Sequence, residues 1–597
     1  LKKYIYLFLL ISTFNLFAQE KVLDTVQGKK QNLDEVIVQS LRVKYSSPIS
    51  HSNISKEELN LRNLGQDLPL LLNFLPSIIT TSDAGNGVGY TGIRVRGVSA
   101  QSTNITINGI PFNDPESHGT YWVNLPDFTS SIESLQVQRG VGTSTNGSGA
   151  FGASVNILTD AVSKDPYAEI SNSIGSYNTF KHTVKFSTGK LNDVFEFSGR
   201  LSKIDSDGYI DRAFSDLKSY FVQGSYIHKS TFIKFLTFGG HEKTYQSWFG
   251  VTKDQILENR RQNPYTYENE IDNYKQDHYQ FHWNEKINQR WSTNIGLNYT
   301  YGRGYFEQFR EDDSVKTYGG IVKSDVDQNG EETGKTDLIR RRWLDNNFYV
   351  INTSANYNSS KLNMTFSSSY SIYSGDHFGE VIWARQFGKN NSVRDRYYDG
   401  NGKKIDFSIF AKASYIINKN LEFYGDLQLR NINYKTNGFT SDLVNMILDE
   451  SYSFFNPKFG ISFKFNSNSM LYGSYSRANR EPSRSDYESN PNIKPEQLND
   501  FELGWRYRKN GLKLNLNSYY MLYNEQLVLT GALDDVGTPT RTNSGSSYRI
   551  GIELDSKVKL SDLFTINPNL TFSSNKNKKT LLPFDGKIVD FGKTNIS

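Results

Sequence analysis

The chain has 597 residues, a net charge of +4 and no cysteine. That length exceeds one ordinary soluble core, and the missing thiols exclude a disulfide framework, a zinc–thiolate centre and a cysteine nucleophile. The near-balanced charge leaves no nucleic-acid footprint, while 38 Phe, 37 Tyr and 46 Gly point to many strands and turns.

In chain order, residues 1–18 (LKKYIYLFLLISTFNLFA) read as a secretory signal. Lys2 and Lys3 form a basic start, Tyr4 to Phe14 an apolar run, and Leu16-Phe17-Ala18 a cleavage end. The run is short for a membrane-spanning helix, and no later apolar run reaches 18 residues. A mature chain that spans a membrane must therefore do so as a closed β-barrel. Residues 19–44 read as a polar, flexible tail around one short strand, Val36-Ile37-Val38, behind Asp34 and Glu35. Proteins normally hide an unpaired strand edge, so this one is either offered to a partner by β-augmentation or is the first strand of the sheet that follows. Residues 45–160 carry Gly-rich turns and short apolar runs. There "LPLLLNFLPSII" predicts a short helix and a strand, and the whole predicts a compact mixed α/β domain.

Residues 161–597 read as the barrel, and past residue 165 the pattern has period two. Leu421, Phe423, Leu427 and Leu429 alternate with Glu422, Asp426, Gln428 and Arg430. Ile405, Phe407, Ile409 and Ala411 share one face, as do Leu512, Leu514, Leu516 and Tyr520. Segments of roughly 10–13 residues suffice to cross a bilayer as tilted strands. Short gaps near Asn418-Lys419, Asn466-Ser467, Asn510-Gly511 and Ser561 alternate with long ones near 240–275, 303–346, 374–403, 433–453, 479–498 and 524–545. This is the turn-and-loop rhythm of an outer-membrane barrel rather than of a soluble sandwich. About 17 strands are predicted, where single-chain bacterial barrels have an even number. With Leu at its start and "FGKTNIS" at its end, the sequence is expected to lack a carboxy-terminal part of the barrel.

At this point three stretches carry a resemblance. "IRVRGVSAQSTNITINGIPFND" (93–114) and "IESLQVQRGVGTSTNGSGAFGASVNILT" (132–159) resemble the plug domain of TonB-dependent outer-membrane receptors. "LDEVIV" (Leu33, Asp34, Glu35, Val36, Ile37, Val38) resembles their TonB box, and "REPSRSDYESNPNIKPEQLNDFELGW" (480–505) resembles a stretch of their barrel. The resemblance, to the siderophore type and Bacteroidetes-like, implies an all-β transmembrane fold: a 22-stranded antiparallel barrel, here short of about five strands, with the plug inside its lumen. It further implies a monomeric barrel in the outer membrane, with no cofactor, that takes energy from a periplasmic TonB complex at residues 33–38. The ligand it implies is a scarce extracellular one, most commonly an iron chelate. Cobalamin, an oligosaccharide or a peptide are alternatives, although residues 19–44 are too short for the extra domain common in carbohydrate receptors. The plug and TonB-box motifs argue against a non-energised porin or adhesin. Physics is consistent with this: so wide a lumen must be stoppered, and Gly140, Gly142, Gly147, Gly149 and Gly152 suit tight turns against a wall. No Lys-Ser/Thr follows them, as a phosphate loop would need.

The resemblance also implies a charge cluster fastening plug to wall: Arg96 in "RVRG" and Arg139 in "VQRG", with Glu502 in "FELG" and Glu553 in "RIGIELD". Alternation tests the last two independently. Phe501, Leu503, Trp505 and Tyr507 share an apolar face, as do Tyr548, Ile550, Ile552 and Leu554, so both carboxylates point into the lumen; ordinary solvation there is the alternative role. For the ligand, plug loops 81–90 and 113–122 supply Tyr90, His118, Tyr121 and Trp122, and barrel loops supply Trp248 and Trp383. Aromatics in loops serve recognition, but also packing and the interfacial girdle. Residues 325–336 partly match a calcium loop, with Thr336 where a bidentate Glu belongs. No H-E-x-x-H or G-x-S-x-G motif is present, and the eight His are scattered, so no catalytic or metal centre is predicted.

Overall fold

The structure, a computed structural model, describes residues 42–147, 149–533, 539–584 and 587–596. The expected signal (1–18) and the segment 33–38 lie outside the described residues.

The amino-terminal part builds a small mixed sheet from β1 (His51–Ser55), β4 (Thr103–Ile107), β5 (Ile110–Pro111), β6 (Ile132–Arg139) and β7 (Ala153–Thr159), in the order β1-β6-β7-β4-β5. β2 (Ile78–Ser82) and β3 (Thr91–Val95) form a separate hairpin. β4 and β7 run parallel. Helix α1 (Lys56–Asn60) starts at a capping box between Ser55 and Glu58, and α2 (Leu68–Leu71) carries Pro69 in its first turn, where a missing N–H costs nothing. Ile105, Ile107, Leu135, Val137, Val155 and Ile157 are all buried. So are the polar side chains of the opposite face, among them Gln136, Gln138 and Asn156. A sheet covered on both faces is what a stopper inside a barrel requires.

The barrel starts at Tyr167–Gly175, and each strand pairs antiparallel with the next barrel strand in chain order, except that Ser546–Lys559 takes both Thr565–Ile566 and Asn569–Asn577. Among the described residues the barrel has 18 strand segments, one a two-residue stub at Thr565–Ile566. Along Leu421–Gly438 the side chains of Phe423, Leu427 and Leu429 are exposed outward, while those of Glu422, Asp426, Gln428 and Arg430 are buried inward. Hydrogen bonds join the plug to the wall at Lys185, Asn352, Lys404, Asp426 and Glu502, on strands spread around the barrel, so the plug sits inside the lumen. Among the described residues no helix is long and apolar enough to cross a membrane.

The strands correct one expectation. Trp291–Ser314 and Lys335–Asn358 each have 24 residues, Leu362–Ala384 has 23 and Arg396–Ile416 has 21, twice the predicted crossing length. The long gaps expected at 303–346 and 374–403 shrink to 315–334 and 385–395. Above the membrane the outward positions become Arg303, Tyr305, Trp343 and Asp345, so hydrophobic contrast fades. Pairing persists there: Arg303 faces Asp345 and Tyr305 faces Trp343.

Candidate functional site

Two charge latches hold the plug. β3 ends at Val95, and Arg96 follows in the left-handed region with φ 53°, a conformation that needs surrounding contacts to hold it. Its guanidinium leaves the plug for the wall. Nε and Nη2 each donate to Glu553 at 2.9 Å, and Nη1 donates to Glu502 at 2.5 Å. The Tyr519 ring packs 4.0 Å away. Arg139, at the end of β6, approaches Glu553 at 3.3 Å and donates to Ser52 Oγ at 2.9 Å. All four side chains are buried. Gly140 has φ +78°, and a Cβ there would lie 2.1 Å from Asp500 Oδ2 and 2.9 Å from Glu502 Oε1. Any side chain there would displace these carboxylates and strain the backbone.

The second latch has the opposite polarity. Asp127, at φ 51°, takes the Lys181 ammonium at 2.6 Å and the Thr183 and Ser202 hydroxyls at 2.6 Å each. Burial alone would raise the Asp127 carboxyl, but Arg200 and Lys181 hold it down at about 2. Nearby, Asp160 receives Lys56 at 2.7 Å and Lys185 at 2.6 Å.

On the loop side, residues 113–121 are pinned by Asn113. Its Oδ1 accepts from the Ile105 amide at 2.6 Å, and its Nδ2 donates to the carbonyls of Thr103 and His118 at 2.9 Å. Glu116 accepts from Tyr434 at 2.6 Å and His377 at 2.7 Å, with Arg484 at 3.4 Å. Burial would raise its carboxyl, yet His377 and Arg484 bring it to about 2. His118 Nε2 sits 3.3 Å from Glu481 and 3.1 Å from Lys404 Nζ; burial, then Lys404, lower it to about 4, so the ring is neutral at pH 7. Glu481 also takes Lys404 at 2.6 Å and Arg430 at 2.9 Å. A cavity of about 70 Å³ opens among these groups.

The predicted ligand residues do not converge on one point. His118 lines that cavity, and Tyr121, 43% exposed, lines the adjoining recess with His278 and Tyr373. Tyr90 donates to Asp272 and meets Trp248 edge-on at 5.2 Å, which brings plug loop and barrel loop together. Trp122, 3% exposed, is core: it packs in the cluster with Phe128 and Phe238 and offers no face to solvent. Trp383, 44% exposed, lines neither cavity. Sequence reasoning missed Glu116, Lys404, Arg430 and Glu481. In 325–336, Asp327 accepts from the amides of Asn329 and Glu331, a turn closed on itself. Thr336 donates its hydroxyl to Asp325.

Residues 220–594 match the family described as TonB dependent receptor-like, beta-barrel, and residues 43–154 match the TonB-dependent Receptor Plug Domain. The chain is similar to the vitamin B12 transporter BtuB of Vibrio vulnificus, 29% identical over 183 residues (30% of this chain, 29% of BtuB). It is also similar to the probable TonB-dependent siderophore receptor PirA of Acinetobacter baumannii, 26% identical over 203 residues (32% of this chain, 24% of PirA). The chain thus spans under a third of these curated relatives. The crystal structure of the siderophore receptor PiuA from A. baumannii shares the fold, with a TM-score of 0.70 at 15% identity, covering 92% of this chain and 83% of that one.

Proposed function

The chain belongs to the TonB-dependent receptors, plugged β-barrels of the outer membrane, and on that premise we propose that it actively imports a scarce extracellular ligand, a ferric siderophore or similar iron chelate. The observation that carries this is a plug seated in the lumen through Arg96 between Glu502 and Glu553. Such a stopper blocks passive flow, so transport needs work done on it. That work enters at residues 33–38, handed to a periplasmic TonB complex by β-augmentation. Arg96, Arg139, Glu502 and Glu553 act as the lock that the pull disturbs. In this reading residues 1–18 are the signal, 19–44 the tail, 45–160 the plug and 161–597 the barrel, working as a monomer. His118, Tyr121, Tyr90 and Trp248 meet the ligand.

Iron is supported by the relatives named as siderophore receptors. The likeness to a vitamin B12 transporter supports cobalamin as a second reading. Deleting residues 33–38 tests the function: cells should still bind ⁵⁵Fe-loaded chelates from a siderophore panel but no longer accumulate the label. Unchanged accumulation would refute an energised importer, and accumulation of labelled cobalamin alone would decide for the second reading.

A further inference from the structure

The plug is not held alike on all sides. Against Phe195–Ser206 and Glu496–Lys509 it is bolted by buried ion pairs. Against Ile271–Lys286 and Lys335–Asn358 it rests at mid-depth on neutral groups. There the tip of the β4–β5 hairpin, Asn108 (φ 54°) and Gly109 (φ +81°), turns as a two-residue hairpin does. Asn352 Nδ2 donates to the Gly109 carbonyl at 2.9 Å, and Asn108 Nδ2 donates to Gln280 at 3.4 Å.

Beside this soft contact the lumen is not filled. Three cavities, of about 70, 50 and 60 Å³, follow one another from the loop end to the periplasmic end. On Leu362–Ala384 the inward side chains fall into them in sequence: Tyr373 and Ser371 line the first, Ser369, Ser367 and Thr365 the second, and Thr365 with Asn363 the third. Arg396–Ile416 does the same from Lys404 down to Ser414. Among the described residues, the middle cavity is lined by hydroxyls, amides, His282, Ile110 and Phe410 without a charged group, and the lowest carries Arg42, Lys44 and Lys412 with no acid in its lining, Glu133 and Asp426 standing behind Arg42 and Lys412.

We propose that this column is the ligand's route. An anionic, hydrogen-bonding chelate passes between the plug and the wall of Leu362–Ala384 and Arg396–Ile416 once the Asn108–Gly109 tip yields at mid-depth and the Glu116–His377 and Lys404–Pro115 contacts at the loop end part, while the Asp127 side of the plug stays bolted. The physical grounds are three. Neutral hydrogen bonds part more readily than buried ion pairs. A lane of many weak hydrogen-bonding sites lets a solute both enter and leave. Three cations at the exit draw a negative solute downward. The cavities are well below the volume of a small-molecule site, so the lane is shut at rest. The inference rests on the importer reading and narrows its substrate to a negatively charged one.

The absence of native cysteine gives a direct test. Single replacements Ser369→Cys and Ser408→Cys report the lane. Ser198→Cys and Ser225→Cys, inward and buried with hydroxyls that have no partner, report the bolted side. Cells producing each variant are treated with an anionic or a cationic methanethiosulfonate, energised or with the proton gradient collapsed. Energisation should raise labelling at 369 and 408 at least several-fold and leave 198 and 225 unchanged. The anionic reagent should react faster in the lane, after correction for its rate with free cysteine. Equal gains on both sides, or a gain at 198 and 225 alone, would overturn the lane but keep an energised receptor. No gain at any position, matching the variant lacking residues 33–38, would overturn both. Faster cationic labelling would overturn the charge assignment.

Discussion

Replacing Glu553 by Gln is the sharpest perturbation of the lock. Glu553 accepts two bonds from Arg96 and lies 3.3 Å from Arg139. The neutral amide leaves Arg139 with the Ser50 and Ser52 hydroxyls, and leaves Arg96 with the Glu502 carboxylate and the Tyr519 ring. The side chains of Arg96, Arg139 and Glu553 are at most 3% exposed, so water cannot take the place of the lost charge. Stranding a buried charge costs about 3–5 kcal/mol, or roughly two to three and a half decades in the seating equilibrium of the plug. The assay is ion conductance of the purified receptor in planar bilayers during a urea titration, where the opening midpoint reports seating. A cycle with Arg96→Met, Glu553→Met and the double variant isolates the pair. The double variant keeps Arg139 and Glu502 in balance, so it should lose less than the two singles together, with a coupling of about 3 kcal/mol. A coupling under about 0.5 kcal/mol would show that these carboxylates are merely solvated in the lumen, and the lock would be refuted.

Gly140→Ala should lower the same midpoint, because its Cβ would meet Asp500 and Glu502 and a positive φ is strained for alanine; a loss of at least 1–3 kcal/mol, about the cost of overpacking, is expected. Asp127 gives a pH signature. Its carboxyl is held below the ordinary value, so it stabilises the seated plug above about pH 4 and loses that contribution as pH falls toward 2. Conductance midpoints for the parent and Asp127→Asn should therefore differ at pH 7 and converge near pH 2. Trp122→Ala should destabilise the plug by about 3–5 kcal/mol, read as a lower urea midpoint, with chelate affinity of the seated form unchanged. His118→Ala should weaken chelate binding in equilibrium titrations without moving that midpoint by more than about 1 kcal/mol.

Alternation made the barrel legible because the bilayer punishes any error in it: outward Phe501 and Leu503 place Glu502 inside without further information. The same rule, applied to "KIDFSIF" and "LEFYGDLQLR", sends Lys404, Asp406 and Arg430 inward, and the structure has them there. Their partner Glu481 was not readable, since it lies in a loop region where no periodicity fixes direction. Trp122 was ambiguous for the same reason: an aromatic in an irregular segment carries no signal that separates packing from recognition. The extensions of Trp291–Ser314 and Lys335–Asn358 were missed because water on both faces removes the contrast on which the reading depends.

Those tall strands change how a solute meets the protein. A strand of 24 residues is about 80 Å long at roughly 3.4 Å per residue, and tilted by about 40° it still rises some 35 Å beyond a 25 Å apolar band. On the other flank, Thr179–Ser187 has nine residues and stops near the membrane surface. The mouth is therefore lopsided, a high palisade facing a low sill. A molecule that touches the inner side of the palisade exchanges a search through open volume for one along a surface. Each brief adhesion returns it toward the foot of the fence, where Leu362–Ala384 and Arg396–Ile416 descend, instead of releasing it to the bulk.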